Sequence, residues 1–424
     1  QFLSNMKMAD IKDVCIVGAG LSGAYAARTL LSNGKTVSLL DGRDRIGGRL
    51  LTAEEERGGR GCSGAGDLGG AWIWPRSEYV MKRFVDDYGI RTATMHLEGE
   101  TVARTTDGRR HVLPDGAASQ YAACGGGAVR IHGGAASMVQ KLLQGDNDDD
   151  VDNPDLSIEL GMRVVRIEHG EDVVKISCTN TKSKEDECET KLIECRRAIL
   201  AAPPKVLANT IEFDPPLPKK KMDAMLSTPT WMEDYGKVSV SFPQNWWRRR
   251  NFSAISIDQM GAVSTWWEAC SGDDGDGALP TLAGFVTRNG AKTLNEKMGS
   301  NEAALHDYAL DALKDLYGVD VTAMGIQKDA TDVTIQGSAD TDGVVISKGG
   351  ITVTYKSWLE DPFTNGLEEQ STIAFPRQYG DRYLQQSVGP LFFAGTEAAH
   401  GSGHMEGAVV AAQRAAGEVM QYLS

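Results

Sequence analysis

The sequence predicts an α/β chain of two interleaved domains, and three observations carry that expectation. A glycine-rich turn joins an apolar run to a helical pattern near the N-terminus. A comparable turn opens an alanine-rich helical pattern near the C-terminus, and the stretch between them alternates short apolar segments with polar turns. At 424 residues the chain exceeds one compact core, and an apolar fraction of 41% with 48 glycines describes a globular chain with many tight turns.

Taken in order, residues 14–17 read as a buried strand, and 21–31 carry apolar residues at helical spacing until Asn33 and Gly34 close the helix. Residues 36–40 read as a second buried strand ending at Asp41, which completes a βαβ unit. Residues 42–70, rich in Gly, Arg and Glu without periodicity, are expected as a loop folded over a ligand. Helices are expected at 78–88, closed by Gly89, and at 133–143. The acidic tract 146–155, with Pro154, reads as a solvated loop, since it lacks the glycine and terminal glutamate of an EF-hand. Segments 164–168, 173–178, 192–195 and 198–201 alternate as in a small antiparallel sheet ended by Pro203 and Pro204. Segments 237–242, 281–286 and 351–358 read as strands of a second sheet, with a helix at 302–317 packed on it. Residues 391–394 form a buried strand, and 405–423 a long helix opening at Gly401, Ser402 and Gly403. The expected division places 1–94, 130–226 and 360–424 in a cofactor domain, and 95–129 and 227–359 in a substrate domain.

A formal charge of −14 repels phosphate backbones and anionic headgroups, so neither nucleic acid nor a membrane is an expected partner. The seven cysteines, Cys15, Cys62, Cys124, Cys178, Cys188, Cys195 and Cys270, are scattered and never in a CxxC arrangement, which suggests neither a disulfide framework nor a metal site. No signal-like start, transmembrane run or tail anchor is seen, and a soluble, cytoplasmic monomer or homodimer is expected.

Gly18, Ala19, Gly20, Leu21, Ser22 and Gly23 satisfy GxGxxG between an expected strand and helix. Gly18 permits the tight turn, Gly20 lets the backbone approach a pyrophosphate, and Gly23 allows close packing of helix on strand. Asp41 stands at the spacing of a ribose-binding acid. The fingerprint alone does not separate FAD from NAD, but Gly42, Arg43, Asp44, Arg45, Ile46, Gly47, Gly48 and Arg49 put arginines and paired glycines where a loop would wrap further phosphate oxygens.

Four separated places resemble the flavin-containing amine oxidase family of monoamine, polyamine and L-amino-acid oxidases. They are the fingerprint through Arg49; Asp67, Leu68, Gly69, Gly70, Ala71 and Trp72; the strand from Gly236 to Phe242 with Trp246 beyond it; and the C-terminal region. That last region runs from Trp358 through Asp361, Pro362 and Phe363, then Phe393, Ala394, Gly395, Thr396 and Glu397, to Gly403, His404, Met405, Glu406, Gly407 and Ala408. The resemblance implies a Rossmann-type FAD-binding domain of discontinuous segments plus a mixed-sheet α+β substrate domain. It also implies cofactor contacts from Arg43 and Arg49 to phosphate, from Val164 to the adenine, from Glu397 near the ribityl and pyrophosphate, and from Met405 at the helix N-terminus to the flavin ring. Lys237 takes the family's lysine position, holding a water at the flavin, and Trp358 that of a tryptophan near it. On the residues alone, Lys237 is either a buried ammonium with a hydrogen-bonded role or a lysine pointing to solvent from an exposed sheet face.

The chain departs from the family where two aromatic rings usually flank the substrate nitrogen; Glu368 and His404 stand there instead. Either they form an acid/base or cation-binding pair that replaces the rings, or they mark a substrate that is not a simple monoamine, or Glu368 is exposed and His404 fills space. Leu367 lies near the position of a flavin-tethering cysteine in some members, so FAD is expected to bind without a covalent link. Trp72, Trp74, Trp266, Trp267 and Tyr121 are candidate pocket walls. The leading expectation is oxidation of a small amine with dioxygen as acceptor and hydrogen peroxide as product. A desaturase or porphyrinogen-type oxidase, and a flavin-binding protein without oxidase activity, are the alternatives; an NAD-dependent dehydrogenase would leave the C-terminal motifs unexplained.

Overall fold

Apolar runs that lack polar alternation need cover on both faces, and strands of this kind organise the first half of the fold. The computed structural model describes residues 11–52, 66–120, 127–144, 153–182, 190–270, 279–298, 301–324, 334–338, 343–365 and 378–423. The chain divides into two compact units: residues 1–49, 138–231 and 362–424 form the first, and 50–137 and 232–361 the second.

Among the described residues of the first unit, eight strands make one sheet. Its order is Glu212–Asp214, Met162–His169, Val174–Asn180, Thr190–Leu200, Lys12–Val17, Val37–Leu40 and Leu156–Glu159, with Leu391–Phe393 also paired to Thr190–Leu200. Lys12–Val17 runs parallel to both of its neighbours, and the helix Leu21–Leu31 makes the connection to Val37–Leu40. Small side chains let helices come close: Ala26, Ala27 and Leu30 share one core with Ala411, Ala412, Ala415, Ala416 and Val419 of the helix Met405–Leu423.

The three chain segments of this unit meet at one carboxylate. Glu397, fully buried, accepts from Arg49 Nη1 at 2.7 Å and Nη2 at 3.1 Å, and from the Trp231 backbone N–H at 2.9 Å. Arg49 also donates to the Trp231 carbonyl at 3.2 Å.

Among the described residues of the second unit, nine strands form a mixed sheet in the order Thr334–Ser338, Gly343–Lys348, Ile351–Ser357, Gly236–Ser241, Thr281–Val286, Val263–Cys270, Phe252–Asp258, Glu100–Arg104 and Arg110–Leu113. The helix Ala303–Tyr317 contributes Leu305, Leu310, Leu313 and Tyr317 to a core shared with Trp246, Trp247 and Trp266. A smaller sheet pairs Val129–Ile131 with Trp72–Ile73 on one side and Thr92–Thr94 on the other.

Several expectations are corrected. Segments 192–195 and 198–201 are one strand, Thr190–Leu200, because its first half pairs antiparallel with Val174–Asn180 and its second half parallel with Lys12–Val17; the separate antiparallel sheet is therefore part of the main one. The helix expected from 133 begins at Ser137, since Gly133 and Gly134 turn the chain at φ 83° and 81°. Residues 227–231, expected with the substrate segments, belong to the first unit, and 50–94, 130–137 and 360–361, expected with the cofactor segments, belong to the second. There Lys237 and Trp358 hold the carbonyls of residues 67–69, and Trp72–Ile73 pairs with Val129–Ile131. Trp266, a candidate pocket wall, is fully buried in the core. Among the described residues no helix is long and apolar enough to cross a membrane.

Removing Glu397 takes the bidentate carboxylate from Arg49 and the acceptor from the Trp231 N–H. Glu397→Leu is expected to destabilise the protein by about 3 kcal/mol, and Arg49→Met/Glu397→Leu by less than the sum of the two single changes. Denaturant unfolding of the three variants checks this, and additive losses would show that the pair is not coupled.

Candidate active site

The first unit presents the glycine turn as a built cradle. Gly18, at φ 108°, donates to the Leu40 carbonyl at 2.7 Å, and a Cβ there would press on the Ala201 backbone. A Cβ on Gly23 would collide with the Gly18 carbonyl, which explains why the helix from Leu21 through the buried Ser22 can lie so close to the turn. Gly20 approaches Gly47 and Gly48, and Gly47 N–H donates to the Ala19 carbonyl at 2.9 Å. The buried Asp41 carboxylate accepts from Ala19 N–H at 2.7 Å and Arg43 N–H at 2.9 Å, so it braces the turn. A Cβ on Gly42 would run into Phe363, over whose ring Arg43 lies at 5.2 Å; Arg43 Nη2 also donates to Thr364.

The C-terminal motif joins the same cradle. Gly395, at φ 97°, donates to Ser22 Oγ at 2.9 Å, next to the Arg49–Glu397 pair. Thr396 Oγ1 donates to the His404 carbonyl at 2.7 Å immediately before the helix Met405–Leu423. His404 is half-buried and meets the Trp231 ring edge-on at 5.3 Å, while Gly403 has no Cβ because Trp231 fills that space. Val164 sits mid-strand beside a register shift at Ser177 and Cys178, and Ala408 lies in the first turn of the final helix. Bare backbone at Gly18, Gly20, Gly48 and Gly395, a helix N-terminus on each side of the chain, and a fixed arginine fit the phosphates and ribityl of FAD.

The second unit holds Lys237. The strand Gly236–Ser241 is buried throughout, so the solvent-facing alternative for Lys237 is not realised. At 4% exposure its ammonium donates to the carbonyls of Asp67 at 3.0 Å and Gly69 at 2.6 Å. The rings of Trp267, Phe285 and Trp72 lie 5.0, 5.4 and 5.9 Å from it. Burial pulls the ammonium down to about pKa 8, opposed by the charge of Asp67. Asp67 is itself pushed up to about 6 by burial, partly offset by hydrogen bonds from Thr52 and Ala135 and by Lys237. Trp358, buried, donates its indole N–H to the Leu68 carbonyl at 2.8 Å. Residues 67–69 are thus gripped at three successive carbonyls, just before Gly70, Ala71 and Trp72.

Asp67, Trp231 and Phe285 are the residues that sequence reasoning did not assign a role. Asp67 lay inside a quoted motif, whereas Trp231 and Phe285 stand in segments without one. Glu368, Leu367 and Tyr121 lie outside the described residues.

The chain matches the family described as flavin containing amine oxidoreductase over residues 116–420, and the NAD(P)-binding Rossmann-like domain over 16–88. Amine oxidase (flavin-containing) B of Bos taurus is 25% identical over 494 residues, covering 96% of this chain and 86% of that protein. Putrescine oxidase of Kocuria rosea is 41% identical over 101 residues, 24% of this chain and 20% of that protein. Among solved structures, cyclohexylamine oxidase from Brevibacterium oxydans aligns with a TM-score of 0.67 at 20% identity, over 97% of this chain and 99% of that one, a likeness of fold. With the family match spanning well over half of its length, the chain belongs to the flavin-containing amine oxidoreductases and takes FAD as its cofactor.

Proposed function

We propose that this protein oxidises the carbon–nitrogen bond of a small amine to an imine, with dioxygen reduced to hydrogen peroxide and water then hydrolysing the imine to an aldehyde. The observation that carries this reading is the buried Lys237 ammonium among the rings of Trp72, Trp267 and Phe285. The first unit binds FAD without a covalent link, and the second receives the amine. FAD, when bound, supplies the two-electron acceptor for the oxidation and the means of passing those electrons to dioxygen.

The chain's own residues supply charge control. An aliphatic amine must shed its ammonium proton before its α-carbon can be oxidised, and both aromatic burial and the adjacent Lys237 charge disfavour a second cation. An ammonium has three donors; two of Lys237's are held by carbonyls, and the third serves a water, the role implied by the family position. His404 accepts the proton that the amine sheds, and Glu368 is assigned to the same step. The buried free thiols of Cys15, Cys178 and Cys195 support a cytoplasmic place of action.

Anaerobic mixing of the yellow protein with primary amines, diamines and amino acids is expected to bleach the flavin for one class. If dithionite bleaches it and no amine does, the reading is wrong. Lys237→Met is expected to slow one half-reaction, flavin reduction or its reoxidation by oxygen, by about 100-fold.

A pH series gives a second check. The folded pKa of Lys237, about 8, lies below its ordinary 10.5, so the cost of burying the charge is complete below pH 8 and fades as pH rises toward 10.5. The Tm of the wild type minus that of Lys237→Met should therefore rise across that window. A flat difference would show that Lys237 is not buried as a cation.

A further inference from the structure

A buried N–H donor that no acceptor takes costs about 1–3 kcal/mol, so a cluster of such donors marks a place where an acceptor from outside the chain binds. The second unit contains one. Trp72 and Arg130 are direct partners on antiparallel strands, which puts their side chains on the same face. The Trp72 Nε1 and the Arg130 Nε are both buried without a hydrogen-bond partner among the described residues. Trp72 is 8% exposed and the Arg130 side chain 11%.

Arg130 is also poorly paired as a cation. Glu268 Oε1 lies 3.9 Å from its Nη2, and that carboxylate is already taken by Trp247 Nε1 at 2.8 Å and by Arg248 Nε at 2.7 Å and Nη2 at 2.6 Å. Beside Arg130 itself, four ionised groups belong to this cluster at neutral pH: Arg248 and Lys237 are positive, while Glu268 and Asp67 are negative. One positive charge is left over, the charge that a single carboxylate would balance. Around Trp72 stand Trp267 at 4.7 Å, Phe285 at 5.7 Å and Trp74 at 6.3 Å between ring centroids, an apolar surface for methylene groups.

We infer that Arg130 and Trp72 form a carboxylate-binding subsite, and that the amine oxidised here carries a carboxylate at the far end of a short carbon chain. The substrate half of this inference rests on the amine-oxidase reading above; the subsite itself does not. Arg130 gives the charge and a planar fork, Trp72 a neutral N–H, and the neighbouring rings exclude water from the chain between amine and acid.

Calorimetric titration of the FAD-loaded protein with butyrate, which has no nitrogen to oxidise, tests the subsite without turnover. Wild type is expected to bind, Arg130→Met about 30-fold more weakly, and Arg130→Lys in between. Trp72→Phe keeps the ring and removes the donor, and should weaken binding several-fold; it decides the matter if the arginine variants do not fold. Anaerobic flavin bleaching by 4-aminobutanoate should outpace that by n-butylamine, with the ratio falling in Arg130→Met. If n-butylamine bleaches the flavin and butyrate does not bind, the subsite is overturned and the amine reading stands. If butyrate binds through Arg130 and neither amine bleaches, the subsite stands and the amine reading falls. Unchanged butyrate affinity in Arg130→Met, with FAD released instead, would mean that these donors serve the cofactor, and would overturn the inference.

Discussion

A fully buried carboxylate organises the first unit. Glu397 collects Arg49 from the end of the first chain segment and the Trp231 N–H from the end of the second, and it belongs itself to the third. An unpartnered carboxylate at that depth would cost far more than the packing returns; with a bidentate guanidinium and a backbone donor it becomes a lock. The βαβ unit, the middle strands and the C-terminal helix could each form locally, but a common cradle requires them to be held in register. Gly395 donating to Ser22 repeats the link from first segment to third. The residues that shape a cofactor cradle are therefore also the ones that assemble the unit, which ties stability to cofactor retention.

The second unit meets a related constraint with the signs exchanged. Lys237 is a cation in an aromatic setting, and main-chain carbonyls rather than a direct carboxylate contact satisfy it. Carbonyl dipoles stabilise the ammonium without neutralising it, and the Asp67 charge acts from further off. This arrangement leaves a lysine whose charge is responsive near neutral pH, which a tight ion pair would have fixed. In the proposed reaction, a group that holds a water and resists a neighbouring ammonium benefits from keeping its charge undivided.

Local pattern made much of this legible. The βαβ unit, the buried strand before the C-terminal turn and the long alanine-rich helix follow from periodicity and glycine punctuation, which are short-range properties. Gly18, Gly20 and Gly23 were readable because a turn forces their conformation. What could not be read was pairing across long sequence separations. Thr190–Leu200 switches partners midway, so its two halves resemble two strands. Residues 66–73 look like cofactor loop in sequence, yet are claimed by partners as distant as Lys237 and Trp358. Arg130 had no motif around it; its distinction is a buried Nε that no acceptor takes among the described residues, visible only once the neighbours are in place.

The W-x-x-D segment from Trp358 to Asp361 meets a charge constraint of the same kind. Lys237 and Lys356 are direct partners on adjacent antiparallel strands, an arrangement in which like charges repel. The structure separates their ammonium groups by giving each a different sink. Lys237 turns to the carbonyls of Asp67 and Gly69, whereas the fully buried Lys356 pairs with the buried Asp361 at 3.0 Å and lies 4.9 Å from the ring of Trp358. Trp358 in turn donates to Leu68, between the two carbonyls that Lys237 uses. Trp358 and Asp361 thus do complementary work: one fixes the segment that receives the Lys237 ammonium, and the other draws the competing ammonium away from it. On this account the spacing of the motif follows from the sheet register, because Trp358 and Asp361 must flank the end of the strand whose Lys356 faces Lys237.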